Sequence, residues 1–98
     1  MEIEEFLEII KTLSKTNYEL TEHFVHRLKE RNFKFDELYN IIKTKKCKGI
    51  INQNSDTFKL YYEYDSKKDI ILVIAYRFNK FYFISPIPQD SKRRTKHE

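Results

Sequence analysis

The residues best suited to chemistry sit in one stretch, Thr21 to Arg31, TEHFVHRLKER. It reads as a short helix carrying His23, Arg27 and Arg31 at i, i+4 and i+8. At about 100° per residue these three side chains fan over about 80° of one face. Phe24, Val25 and Leu28 lie beside them, so the His/Arg row runs along the border of the apolar stripe. An imidazole moves protons near neutral pH, and a guanidinium offers a rigid donor fork to phosphate oxygens. Together they suit chemistry on a phosphate. The plainer alternative pairs Arg27 and Arg31 with acids such as Glu30 or Glu63 and leaves His23 as a surface histidine. His26, turned further toward solvent, ranks behind His23.

The rest of the composition narrows the field. Ninety-eight residues make one domain, and 40% hydrophobic residues with 15% aromatics can build a core. There is no 18-residue apolar run, which argues against a membrane span, and MEIEEFLEII lacks the basic start of a signal peptide. Cys47 is the one cysteine, which fits a reducing cytoplasm. One cysteine and three scattered histidines suggest no metal site, and a single glycine, Gly49, rules out a glycine-rich phosphate loop. No cofactor is expected.

Charge is unevenly spread. Residues 1–14 carry Glu2, Glu4, Glu5 and Glu8 against Lys11, a net of −3, while the whole chain is +4, leaving +7 for residues 15–98. Lysines gather at Lys43, Lys45, Lys46 and Lys48, and again at Lys92, Arg93, Arg94 and Lys96. Such a basic body favours polyanions, nucleic acid first. Lysine runs are also commonly just solvated, and a charged tail over residues 89–98 is expected to be disordered.

The elements that must hold the row follow from periodicity. Ile3, Phe6, Leu7, Ile10 and Leu13 predict an amphipathic first helix over residues 2–14, whose apolar face could also dock a partner or a second copy. Residues 15–20 read as a linker. Thr21 caps the second helix, and Asn32 closes it in the left-handed conformation. A third helix runs from about Asp36 to Lys43. From Lys48 the period becomes two. Strands are expected at Gly49–Gln53, Thr57–Tyr64, Ile70–Phe78 and Phe81–Ser85. Asn79-Lys80 is the expected hairpin loop, which would set Tyr76 opposite Phe83, Arg77 opposite Tyr82 and Ile74 opposite Ser85. Pro86 and Pro88 end the last strand. The expected fold is α+β over residues 1–88: about three helices, then a four-stranded antiparallel meander. Seven tyrosines and eight phenylalanines are many for this length; most fill the core, and Tyr61, Tyr62, Tyr64 or Tyr82 could stack on RNA bases.

TEHFVHRLKERNF resembles the HxxxRxxxR opening of a family of small domains similar to the RelE-type and barnase/EndoU-like toxin ribonucleases. His23, Arg27 and Arg31 match the motif, and Ser85 in FISPIP stands where the family has a late Thr. Phe24 replaces the family's Ala, and Asn32-Phe33 its Gly-Ile. The resemblance covers about residues 16–88. It implies a RelE/barnase-like fold and metal-independent RNA cleavage through a 2′,3′-cyclic phosphate. In it His23 would be the general acid or base, Arg27 and Arg31 would hold the phosphate, and Ser85 would donate to a phosphate oxygen. Arg77, Tyr76 and Tyr82 would complete the site, with Lys45, Lys46 and Lys48 on the RNA. The partners implied are RNA, free or on the ribosome, an antitoxin, or a second copy. The rival from another class is a non-catalytic accessory protein, viral or plasmid-borne, that binds nucleic acid or protein on the same fold.

Overall fold

Apolar spacing seats Phe6 and Ile10 of α1 (Ile3–Ile10) in the core, so this face is spent inside the chain and is not free to dock a partner. The helix ends earlier than its pattern suggests. Leu13 is still buried, but it lies on a turn fastened by Asn17, whose Oδ1 accepts from Ser14 N–H and whose Nδ2 donates to the Thr12 carbonyl. The computed structural model describes residues 1–90, so most of the expected basic tail, with Lys92, Arg93, Arg94 and Lys96, lies outside the described residues.

The supposed linker contains a strand. β1 (Tyr18–Leu20) pairs in parallel with Phe81–Phe83. Three residues give no readable alternation, and their partner lies some sixty positions away, so periodicity cannot flag this strand. The chain then enters α2 (Glu22–Arg31) and α3 (Phe35–Thr44). Thr21 caps α2 by accepting from Phe24 N–H at 3.1 Å, and Asn32 ends it at φ 61°. Phe33 N–H closes back onto the Leu28 carbonyl at 3.0 Å, the bond that satisfies the last turn.

Four strands follow: β2 (Gly49–Asn52), β3 (Thr57–Glu63), β4 (Lys68–Arg77) and β5 (Lys80–Asp90). The sheet has five strands in the order β1-β5-β4-β3-β2, antiparallel except for β1 beside β5. The fold is α+β, but the sheet is mixed and five-stranded. The expected four-stranded antiparallel meander is corrected by this β1 pairing.

The last hairpin also differs from expectation. Its loop is Phe78-Asn79, both with positive φ (53° and 60°), and Arg77 pairs with Lys80. Tyr76 therefore faces Phe81, and Ala75 faces Tyr82. Ile84 is an extra residue in β5, so Ile74 faces Phe83 while Val73 faces Ser85. Pro86 and Pro88 do not stop the strand, which runs on to Asp90. Past Leu20 no strand of the described residues lies outside β5, and a proline whose missing N–H would face outward costs an edge strand nothing.

Alternation gives the sheet two different faces. Phe58, Leu60 and Tyr62 of β3, Ile70, Leu72 and Ile74 of β4, and Phe81 and Phe83 of β5 meet the helices in one continuous core. Phe6 stacks on Phe58 at 4.2 Å between centroids, and Phe24 and Phe35 meet Phe83 edge-on at 5.4 and 5.0 Å. Tyr62, counted among possible stacking tyrosines, is 2% exposed in this core. The opposite face carries Ile71, Val73 and Ala75, which lie outside that core.

Candidate nucleic-acid interface

Helix α2 is positioned by its first residue. Thr21 N–H and Oγ1 both donate to the Phe83 carbonyl, at 3.1 and 3.0 Å, and Oγ1 also reaches the Ile84 carbonyl at 3.3 Å. Phe24 and Leu28 then drop into the core, so His23, Arg27 and Arg31 must run along the outer border. His23 and Arg31 are exposed and Arg27 is half-buried. Arg27 Nη1 is held by Glu30 Oε1 at 3.2 Å, and His26 Nε2 lies 3.5 Å from Glu30 Oε2. The row exists as a surface, and one of its guanidiniums is committed to a neighbouring acid.

The other residues expected at this site are dispersed. Ser85 lies just beyond the point where Thr21 fastens α2, but its register opposite Val73 assigns it to the sheet face turned from the helices. Among the described residues no hydrogen bond joins Ser85 to His23, Arg27 or Arg31. Tyr76 packs on Phe81 at 4.7 Å on the helix side, with its hydroxyl 3.5 Å from Asn79 Oδ1. Arg77, on the other side, binds Asp56 at 2.7 Å. Its guanidinium holds the Asp56 carboxyl below the ordinary carboxylate range. Tyr82 sits opposite Ala75 on the helix-free face.

The lysine cluster has structural work. Lys43 Nζ caps the end of α1 through the carbonyls of Lys11 and Leu13, at 3.0 and 2.8 Å. Lys45 Nζ reaches the carbonyls of Glu63 and Tyr64, at 3.1 and 3.4 Å. Lys48 pairs with Glu63 at 3.2 Å. Lys46 is exposed. A carbonyl is neutral, so Lys43 and Lys45 keep their full charge while doing this work.

The elements bring two basic segments together at Tyr64. Its ring meets Phe33, in the turn between α2 and α3, at 5.1 Å. Its hydroxyl donates to Glu37 at 3.2 Å, and its carbonyl accepts from Lys45. Burial first, then Glu37, pushes the Tyr64 hydroxyl above its usual pKa, so it stays a donor. Arg31 and Lys34 bracket Phe33 in the chain on one side of this contact, while Lys45 and Lys48 reach Glu63 and Tyr64 of the sheet from the other. Over residues 27–48 eight cations stand against Glu30, Asp36 and Glu37, a net of +5. Over residues 49–90, five cations balance five acids. Lys34, exposed and just past α2, was not singled out by motif spacing, and a running charge count finds it; Lys29 is exposed too but lies about 160° round α2 from Arg31.

Cys47 is half-buried beside Tyr62, and its Sγ donates to the Gly49 carbonyl at 3.0 Å. Burial raises its pKa, so it is no activated thiolate. Among the described residues no three His, Cys, Asp or Glu side chains gather to hold a metal ion, and no helix is long and apolar enough to cross a membrane.

No solved structure matches the chain, so the RelE/barnase-like architecture implied by the motif has no structural neighbour behind it. A curated relative, the uncharacterized protein MJ0788 of Methanocaldococcus jannaschii, is 34% identical over 64 residues, covering 62% of this chain and 81% of that protein. The profile of the MJ0788 family matches residues 4–74, which run from α1 into β4 and include the whole α2–α3 surface. The chain belongs to the MJ0788 family.

Proposed function

We propose that this protein is a nucleic-acid-binding module that holds single-stranded RNA along the surface running from Arg27 on α2 to Lys48 after α3. The observation that carries this reading is the net +5 of residues 27–48, set against a sheet whose charges cancel. Exposed Arg31, Lys34 and Lys46 would meet phosphates, with His23 and Arg27 extending the track toward the start of α2. Binding fits the geometry better than cleavage. Arg27 is occupied by Glu30, and Ser85 is assigned to the other face of the sheet. A single half-buried thiol suits a reducing compartment, and cytoplasmic residence is part of the proposal.

The test is a titration of unstructured RNA at several salt concentrations. Affinity should fall with a log–log slope of about −0.7 for each phosphate neutralised. Arg31→Glu with Lys34→Glu should abolish most of the binding, whereas Lys59→Gln on the sheet should leave it intact. Binding that ignores salt, or survives the double reversal, would refute the reading. RNA cleavage in EDTA that disappears in His23→Ala would replace it with the toxin-ribonuclease chemistry the motif implies.

A further inference from the structure

We propose that the helix-free face of the sheet is where a second copy of this chain docks, face to face. The inference is independent of the nucleic-acid reading and rests on the sheet alone. Register builds the face in cross-strand rows: Gly49–Tyr61–Ile71–Ile87, Ile51–Lys59–Val73–Ser85 and Thr57–Ala75–Tyr82–Glu19, with Glu63–Asp69–Gln89 closing one end. Its floor is apolar and buried at Ile71, Val73 and Ala75, although these residues take no part in the helix-side core. Its raised parts are Ile51, 50% exposed, Ile87, 37% exposed, and half-exposed Tyr61 and Tyr82. Aromatic and branched side chains raised around an apolar floor are what an interface core offers.

Charge chooses the occupant. The ionic groups around this face are already satisfied within the chain: Arg77 by Asp56 at 2.7 Å, Lys80 by Glu19 at 3.1 Å and Lys48 by Glu63 at 3.2 Å. With Lys59 and Asp69 added, four cations meet four acids on this face, so no net charge remains there to draw a polyanion. Two-fold docking sets a face against its own likeness, so any net charge would repel itself; a neutral rim removes that obstacle. The charged residues within the rows are Lys59, Glu19, Glu63 and Asp69; Glu19 and Glu63 are held by Lys80 and Lys48, and the long stem of Lys59 can keep its ammonium at the margin.

Extent and edges agree. Five strands about 4.8 Å apart and seven residues of β3 at about 3.3 Å each span about 24 by 23 Å, so a pair would bury roughly 1,000 Å², the lower bound for a specific interface. Association through the β5 edge is disfavoured. The Thr21 hydroxyl and N–H take the carbonyls of Phe83 and Ile84, and Pro86 and Pro88 supply no N–H to an incoming strand. The basic α2–α3 surfaces would then point outward from the pair.

Sedimentation equilibrium of the full chain, from micromolar to near-millimolar concentration, tests the proposal. Wild type should approach twice the chain mass. Ile51→Lys with Ile87→Lys should weaken the dimer at least about tenfold while circular dichroism stays that of the folded chain. Both positions are already exposed, so folding tolerates the change. Phe78→Ser, which removes a 90% exposed ring at the hairpin tip and off the rows, should leave the dimer intact. A wild-type monomer throughout would overturn the proposal. So would a dimer that survives the double substitution, or one lost equally in Phe78→Ser. RNA binding to the face itself, lost in Lys59→Gln, would overturn it as well.

Discussion

The hydroxyl of Thr21 does two jobs, and they can be separated. Its oxygen accepts from Phe24 N–H at 3.1 Å, which caps α2, and its proton goes to the carbonyls of Phe83 and Ile84, which ties the helix to β5. Losing a Thr cap costs about 1 kcal/mol. Losing the second bond costs about 0.5–1 kcal/mol, at the lower side of the usual range, because Thr21 N–H still satisfies the Phe83 carbonyl at 3.1 Å. Thr21→Ala should therefore destabilise by about 1.5–2 kcal/mol and lower Tm by about 6–16 °C, at about 4–8 °C per kcal/mol for a domain of this size. Thr21→Ser keeps both functions and should stay within about 0.5 kcal/mol of wild type. Thr21→Asp is the decisive variant. A carboxylate caps as well as a hydroxyl and suits the positive helix end, but it cannot donate and sets its charge against two carbonyl oxygens. It should recover the cap yet remain about 1 kcal/mol or more below wild type. Thermal melts with guanidinium titration give the energies, and hydrogen exchange at the Phe24 amide reports the cap alone. Thr21→Asp as stable as wild type would refute the tie to β5. Thr21→Ala without loss would refute both roles.

Three further predictions concern the sheet. Phe78 and Asn79 hold positive φ in a two-residue hairpin loop, a conformation that suits Asn-Gly and strains a phenylalanine. Phe78→Asn with Asn79→Gly should raise stability by about 1 kcal/mol, visible as an increase in Tm of several degrees, and no increase would show the turn to be unstrained. Gly49 has ordinary φ, and a Cβ there would meet Tyr61 atoms at 3.7–3.9 Å, normal contact distances. Gly49→Ala should stabilise the chain by about 0.5 kcal/mol in a guanidinium titration, and destabilisation would mean that β2 cannot accept the methyl. The Arg77 guanidinium lowers the Asp56 pKa in the folded chain, so this pair contributes stability above the unfolded value, about 3.9, and loses it as pH falls through the depressed folded value. Melts below about pH 4 should show a loss of stability that Arg77→Gln removes, and an identical acid dependence in that variant would exclude the pair as its source.

Long local patterns were legible in the sequence and short non-local ones were not. Thr21 and Asn32 marked the ends of α2 because each does its job within a few residues. The alternation of Phe58, Leu60 and Tyr62 located β3, since a strand half covered by helices must obey it. β1 escaped because three residues carry no period and its partner, Phe81–Phe83, is supplied only by the finished fold. Pro86 and Pro88 misled for a related reason. A proline breaks a strand only where its N–H is needed, and whether β5 has a neighbour there depends on where β1 stops. The hairpin register turned on one residue, Phe78, occupying a conformation that its side chain gives no reason to expect.

The candidate site divides along the same line. A motif reads positions along one helix, so it could place His23, Arg27 and Arg31 on a common border. The pairing of Arg27 with Glu30 was open as the plainer reading of that helix, and the structure shows it; what no motif could see is that the extra residue Ile84 fixes the face on which Ser85 falls. Summed charge survives such details, because rotating a side chain or slipping a strand by one residue does not alter how many cations a surface carries. Lys43 and Lys45 illustrate this. Each is tied down by neutral carbonyls, so each rigidifies the junction of α1, α3 and β3 and still contributes its full field outside. A basic surface of this kind costs the fold little, because the lysines that hold the helices in place also supply part of the charge.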